Sequence, residues 1–185
     1  MSVFEIALLA ITVLAGFSIV WSTFIVGISP MPSSKKAREA MMQLSNEIVI
    51  DTSIEREGGP IFELGSGWGS LLIPLAKMHP RRKIVGYELS IMPWLTSVMF
   101  IKVLGLKNVK VYRQNFLNAD LSGASVIFCY LFPAGMNTLE KKLNTENEKP
   151  EYLISNNFSL STRQPIKVIQ LTDLYKSPVY LYKLK

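Results

Sequence analysis

An acid and three glycines stand close together in "FELGSGWGS": Glu63, then Gly65, Gly67 and Gly69 in a G-x-G-x-G rhythm. Glycines in a turn between a strand and a helix let a ligand approach the backbone closely. The dinucleotide fingerprint needs G-x-G-x-x-G so that a pyrophosphate can rest on the helix N-terminus. Here the position of that third glycine is Ser70, and no Lys-Ser/Thr pair follows the turn. Dinucleotide and phosphate-cradle readings are therefore excluded. What fits is a cofactor with a cationic sulfonium, an amino acid tail and a ribose, but no phosphate. Glu63 can orient the turn amides and the ammonium of that tail. Glu88 in "VGYELS" lies about twenty residues further on, where a strand-end acid accepts ribose hydroxyls. Gln114, Asn115 and Phe116 in "RQNF" can hydrogen-bond and flank an adenine ring. The cofactor set expected from the sequence is Glu63, Gly65, Ser66, Gly67, Gly69, Glu88, Leu89, Asn115 and Phe116. Two members have bland alternatives, Glu88 as a solvated strand-end acid and Asn115 as a turn former.

These residues need a sheet to hold them. From residue 60 onward short apolar runs alternate with longer amphipathic ones. "PIFEL", "KIVGYEL", "NVKVYRQ", "ASVIFCYLF" and "EYLISNNF" predict five strands, and the fourth has the continuous apolar character of a strand buried on both faces. "GSLLIPLAKM", "MPWLTSVMFIKVLGL" and "GMNTLEKKLNTE" predict the helices between them, and "IKVIQLT" and "SPVYLYKL" a terminal hairpin. The pattern predicts an α/β fold: a doubly wound, Rossmann-like, mostly parallel sheet with a C-terminal antiparallel hairpin. Cys129 in "VIFCYLF" reads as a small buried hydrophobe rather than a nucleophile. With one cysteine and one histidine (His79), no metal constellation can be assembled.

Residues 60–118 resemble a class I S-adenosylmethionine-dependent methyltransferase. "GYELSIMPWL", "YLFPAGMNTLEKKL" and "NNFSL" narrow the resemblance to the small lysine methyltransferases of the ATP synthase c-subunit and the adenine nucleotide translocase, with their prokaryotic relatives. It spans roughly residues 33–165. The family's turn has the form Asp-Leu-Gly-Ser-Gly-Asp-Gly; Glu63 replaces its first acid, and Trp68 stands in place of the second. The resemblance implies S-adenosyl-L-methionine as cofactor and an acceptor loop at Tyr130 to Pro133, with Tyr130 as the candidate catalytic residue orienting an amine. Asn156 to Phe158 would form the opposite wall. Tyr130 can equally be a core aromatic.

Ahead of this domain, "IALLAITVLAGFSIVWSTFIVGI" runs from Ile6 to Ile28 without a charge. At a rise of about 1.5 Å per residue it is long enough to cross a hydrocarbon core about 30 Å thick. A signal peptide would have a basic start and a shorter apolar region, whereas this flank is "MSVFE". The expected organisation is a single-pass transmembrane anchor at 1–30, a juxtamembrane helix and hinge at 31–58, and the methyltransferase domain at 59–185. Lys35, Lys36 and Arg38 follow the span, so the positive-inside rule puts the N-terminus outside and the catalytic domain in the cytoplasm, with this cluster against lipid headgroups. The net charge is +6 and the pI near 9.4. The basic residues are scattered without an aromatic-basic motif, which favours a bilayer over nucleic acid as partner. The leading expectation is N-methylation of a lysine on a membrane protein. Methylation of a lipid or lipophilic small molecule, or a non-catalytic cofactor-binding scaffold, are the alternatives.

Overall fold

A computed structural model describes residues 2–10, 12–13, 16, 33–51, 59–146 and 150–185. Seven strands form one sheet in the order β3-β2-β1-β4-β5-β7-β6. Strands β1 (Ile61–Leu64), β2 (Ile84–Glu88), β3 (Val109–Arg113), β4 (Val126–Cys129) and β5 (Tyr152–Asn156) run parallel. The strands β6 (Lys167–Gln170) and β7 (Pro178–Lys183) pair as an antiparallel hairpin, and β7 adds antiparallel to β5. Every residue of β1, β2, β4 and β5 is buried, which is why these strands read as near-continuous apolar runs.

Helix α1 (Lys35–Asp51) precedes the sheet, α2 (Leu72–Met78) follows β1, α3 (Ile91–Val103) follows β2 and α4 (Pro133–Thr145) follows β4. Local chemistry sets their ends. Pro74 lies in the first turn of α2, where a missing N–H breaks no helical bond. Gly105, at φ 62, ends α3: its N–H donates to the Lys102 carbonyl and that of Leu106 to the Ile101 carbonyl, a left-handed stop. Pro133 opens α4 at a position where no amide hydrogen is needed.

One face of the sheet packs under α1, α2 and the inner side of α3; the other is covered by α4 and the loops around Leu121 and Leu160. The helix expected to stand between membrane and domain is thus a layer of the domain itself. Ala37, Met41, Leu44 and Ile48 do fall on one side, and that side lies on β5 and β7 in the core. Buried Ser45 reaches His79 at 3.2 Å, joining α1 to the end of α2. Lys36 donates to the Thr172 carbonyl at 2.6 Å and Arg38 to the Ser33 carbonyl, while Lys35, on the exposed side of the helix, pairs with Glu39 at 3.9 Å. Most of the apolar run from Ile6 to Ile28 lies outside the described residues, as does most of the 51–58 hinge. Residues 3–10 are helical and exposed, and among the described residues no helix is long and apolar enough to cross a membrane.

Candidate cofactor site and acceptor face

The sheet changes winding direction between β1 and β4, and crevices at the carboxyl ends of such strands are where α/β folds bind ligands. A cleft of about 340 Å³ opens there. Gly65 from the β1 turn, Tyr87 to Leu89 from β2, Gln114 to Leu117 beyond β3, and Leu131 and Phe132 beyond β4 form its walls. The start of α4 closes it with Ala134, Gly135 and Thr138.

The turn is held by backbone. The amides of Gly65 and Ser66 both donate to the Tyr87 carbonyl at 2.9 Å, and that of Gly69 to the Ser66 carbonyl at 2.9 Å. Gly65, Gly67 and Gly69 all have left-handed backbone, with φ of 71, 52 and 78, which makes glycine necessary at each. Glu88 then ties the turn to β2. Its Oε2 accepts from the Gly67 amide at 2.8 Å and its Oε1 from the Ser90 amide at 2.7 Å. A carboxylate has about four acceptor sites, so lone pairs remain on both oxygens for a ligand.

Of the residues expected at the cofactor, Gly65, Glu88, Leu89, Asn115 and Phe116 line the cleft. Glu63, Ser66, Gly67 and Gly69 do not; they build the turn from behind. The Ser66 side chain is buried against Gly86, and a Cβ on Gly69 would meet Ser97 on α3 at 3.2 Å. Asn115 takes both of its expected parts: it lines the cleft while its Oδ1 caps the short 3-10 turn Phe116–Asn118 by accepting from the Leu117 amide at 3.0 Å. Tyr130 is outside the cleft lining. It stacks on Phe158, ring centroids 6.4 Å apart and planes within 15°. The two segments expected to face each other across the acceptor site therefore touch. Sequence reasoning missed Tyr87 and the α4 residues. The signal for the latter was Pro133, which starts a helix at the carboxyl end of β4 and so turns its first residues to the cleft.

Glu63 carries the site's electrostatics. It is buried beneath the turn, and its Oε2 has no hydrogen-bond partner. Burial pushes its carboxyl well above the usual carboxylate range, the charge of Glu88 pushes it further, and a backbone hydrogen bond from Leu72 pulls it back. A buried acid short of a partner, beside an anchored acid and bare glycine backbone, suits a cationic ligand with hydroxyls and no phosphate. Elsewhere, burial pushes the Cys129 thiol up to about 12, so it stays protonated. Among the described residues no group of three His, Cys, Asp or Glu side chains could hold a metal ion.

Residues 63–167, more than half of the chain, match the model of the ANTKMT methyltransferase domain. The chain belongs to this family. It is an S-adenosylmethionine-dependent methyltransferase, and the cleft residues above fit that cofactor. A protein-lysine N-methyltransferase of Saccharolobus islandicus (strain REY15A) is 27% identical over 66% of this methyltransferase and 77% of its own length. The adenine nucleotide translocase lysine N-methyltransferase of Mus musculus is 28% identical over 60% of this chain, which spans 48% of that relative's length. Among solved structures, an RNA methyltransferase from Salinibacter ruber in complex with S-adenosyl-L-homocysteine superposes with a TM-score of 0.69 at 24% identity, covering 83% of this chain and 94% of its own. At that identity the match speaks for the fold alone.

Proposed function

We propose that this methyltransferase modifies the ε-amine of a lysine on a protein, and that the amine reaches the methyl donor past the Tyr130–Phe158 pair. The observation that carries the reading is this stacked pair at the carboxyl edge of β4 and β5, next to Leu131 and Phe132 in the cleft wall. The stacked pair makes an aromatic wall beside the cleft, along which an unbranched alkyl amine can lie. Both curated relatives are named as lysine N-methyltransferases, which supports the same acceptor.

The cofactor supplies a methyl group on a cationic sulfonium, a ready electrophile. The chain supplies alignment. Glu88 would hold the ribose hydroxyls while remaining fixed to the turn, and Asn115 with Phe116 would flank the adenine. Glu63, under the turn, would balance the ammonium of the amino acid tail. In-line displacement needs chiefly this positioning, which is worth roughly 7–11 kcal/mol when the reacting atoms are held in register. The acceptor amine must arrive neutral, and apolar surroundings beside a cation favour loss of its proton. The Tyr130 hydroxyl and nearby backbone carbonyls then orient its lone pair.

The acceptor protein is proposed to lie in a membrane, with this chain held there by the apolar run Ile6–Ile28, N-terminus outside and the domain cytoplasmic. The run's length and lack of charge support this, as does the Mus musculus relative, named for a lysine of the adenine nucleotide translocase. A tether raises the effective concentration of acceptors in the same bilayer. The test is transfer of labelled methyl from the cofactor into membranes, followed by extraction and mass spectrometry. Label recovered as methyl-lysine, and lost with Tyr130→Ala while S-adenosylhomocysteine still binds, is the expected result. Label in the lipid fraction overturns the reading.

A further inference from the structure

Helix α3 is packed inside out. The residues it buries are Pro93 and Ser97, and Ser97 sits at the close approach to Gly69. Trp94 holds the helix down by donating from Nε1 to the Val111 carbonyl at 3.2 Å. Trp94 and Ile101 turn toward the sheet, but several other large apolar side chains face away. Ile91, Leu95, Met99 and Val103, each four residues after the last, form one exposed stripe, with Phe100 and Leu104 beside it; Val103 is 77% exposed. A surface helix normally turns such a stripe to the core, and a contiguous exposed apolar patch marks a contact.

The charge around the stripe says what the contact is. From Gly65 to Ala119 the chain has eight Lys and Arg, and its one acid is Glu88, which is buried. Lys102 and Lys107 flank the end of α3. The Asn108 side chain, donating to the carbonyls of Ala76, His79 and Arg82, joins that end to the loop carrying Arg81 and Lys83. All four cations are exposed. Aliphatic side chains rimmed by unopposed lysine and arginine suit an anionic lipid surface, which takes apolar groups at the acyl boundary and cations at its headgroups. Nucleic acid would use the cations and leave the aliphatic stripe wet.

We infer that α3 lies on an anionic bilayer, with the Ile91-Leu95-Met99-Val103 stripe in the headgroup–acyl boundary. The stripe begins beside Leu89 at the cleft rim, so the contact also holds the cleft's mouth close to the lipid surface. The inference rests on the helix surface and stands whatever the acceptor group is.

The test uses the full chain with Met99→Cys and an environment-sensitive thiol-reactive fluorophore. Cys129 is buried with its thiol pushed up to about 12 and does not compete for the label. On vesicles of phosphatidylcholine with phosphatidylglycerol, the label shifts to the blue and loses quenching by iodide; Lys141→Cys, labelled on exposed α4 surface, does neither. Adding Leu95→Glu to the labelled protein reverses the shift without changing S-adenosylhomocysteine affinity. Vesicle-bound protein with an unchanged Met99→Cys label overturns the inference. So does a label already shielded without lipid, as a second copy or the chain's own apolar run would produce, or one shielded by RNA instead. None of these outcomes bears on methyl-lysine formation, so this inference and the acceptor assignment fail separately.

Discussion

Glu88 is placed to do two jobs, and substituting it separates them. Its oxygens hold the amides of Gly67 at 2.8 Å and Ser90 at 2.7 Å. In Glu88→Ala the buried Ser90 amide loses its acceptor, which costs about 1–3 kcal/mol, while the half-exposed Gly67 amide turns to water. For a domain of this size each kcal/mol lowers Tm by roughly 2–4 °C, so a drop of about 2–12 °C is expected in the free protein. Cofactor binding suffers more. Two ribose hydroxyls donating to a carboxylate are worth about 1.5–3 kcal/mol each, and the unlatched turn adds its own ordering cost. At about 1.4 kcal/mol per tenfold, affinity for S-adenosylhomocysteine falls at least roughly a hundredfold. Glu88→Gln keeps the shape and one acceptor oxygen but turns an amide toward the other donor, and its losses are intermediate. Calorimetric titration and thermal denaturation read the two effects apart. Glu88→Gln or Glu88→Ala binding within threefold of the parent refutes the ribose role, and an unchanged Tm in Glu88→Ala refutes the latch.

Glu63 makes both stability and binding depend on pH. Its folded-state pKa is raised, so its contribution to stability is complete below the ordinary value of 4.5 and is lost as pH rises through the folded value. The slope reaches about 1.4 kcal/mol per pH unit where the folded state holds the extra proton. A cationic cofactor favours the ionised form, so binding releases a proton and tightens with pH up to tenfold per unit. Glu63→Gln should stabilise the free protein near neutrality, weaken binding and abolish the proton release; titration in buffers of different ionisation enthalpy measures that release, and its persistence in the variant rules Glu63 out as its source. Gly86→Ala probes the fit between β2 and the turn, because its Cβ would meet Ser66 Oγ at 2.8 Å and Leu72 Cδ2 at 3.1 Å. It should cost about 1–3 kcal/mol of stability and weaken cofactor binding by displacing the turn; parent-like values for both contradict the close packing.

Strands β1, β2, β4 and β5 were legible because burial on both faces leaves a strand little choice but mostly apolar residues. The glycine turn was legible because left-handed backbone restricts three positions to one residue type. Longer-range information was not. The pattern of Ala37, Met41, Leu44 and Ile48 says that α1 has one apolar side, yet only the β5–β7 surface, more than a hundred residues away, decides what covers it. Glu88 stood out as a strand-end acid, but its bond to Gly67 depends on β1 and β2 pairing in parallel register. Ser66 and Gly69 sit inside the motif and still face away from the cleft, since a turn that presents its backbone to a ligand must send some side chains backward. In α3 the apolar residues are spread around the helix, so periodicity could not distinguish core from surface. The small residue at 97 decided it, because Gly69 brings the turn too close to admit anything larger.

The two acids explain why this turn selects a cation rather than merely accepting one. Glu88 is fixed by two amide donors. Glu63 is buried beside it without a partner for Oε2, so the free protein holds a repulsion that burial can relieve only with a proton. An ammonium or sulfonium close to the turn would relieve it in another way, leaving both carboxylates ionised. A pyrophosphate would deepen the same conflict, and no Lys-Ser/Thr pair follows the turn to offset it. A partnerless buried acid beside a fixed one would thus disfavour an anion as well as favour a cation.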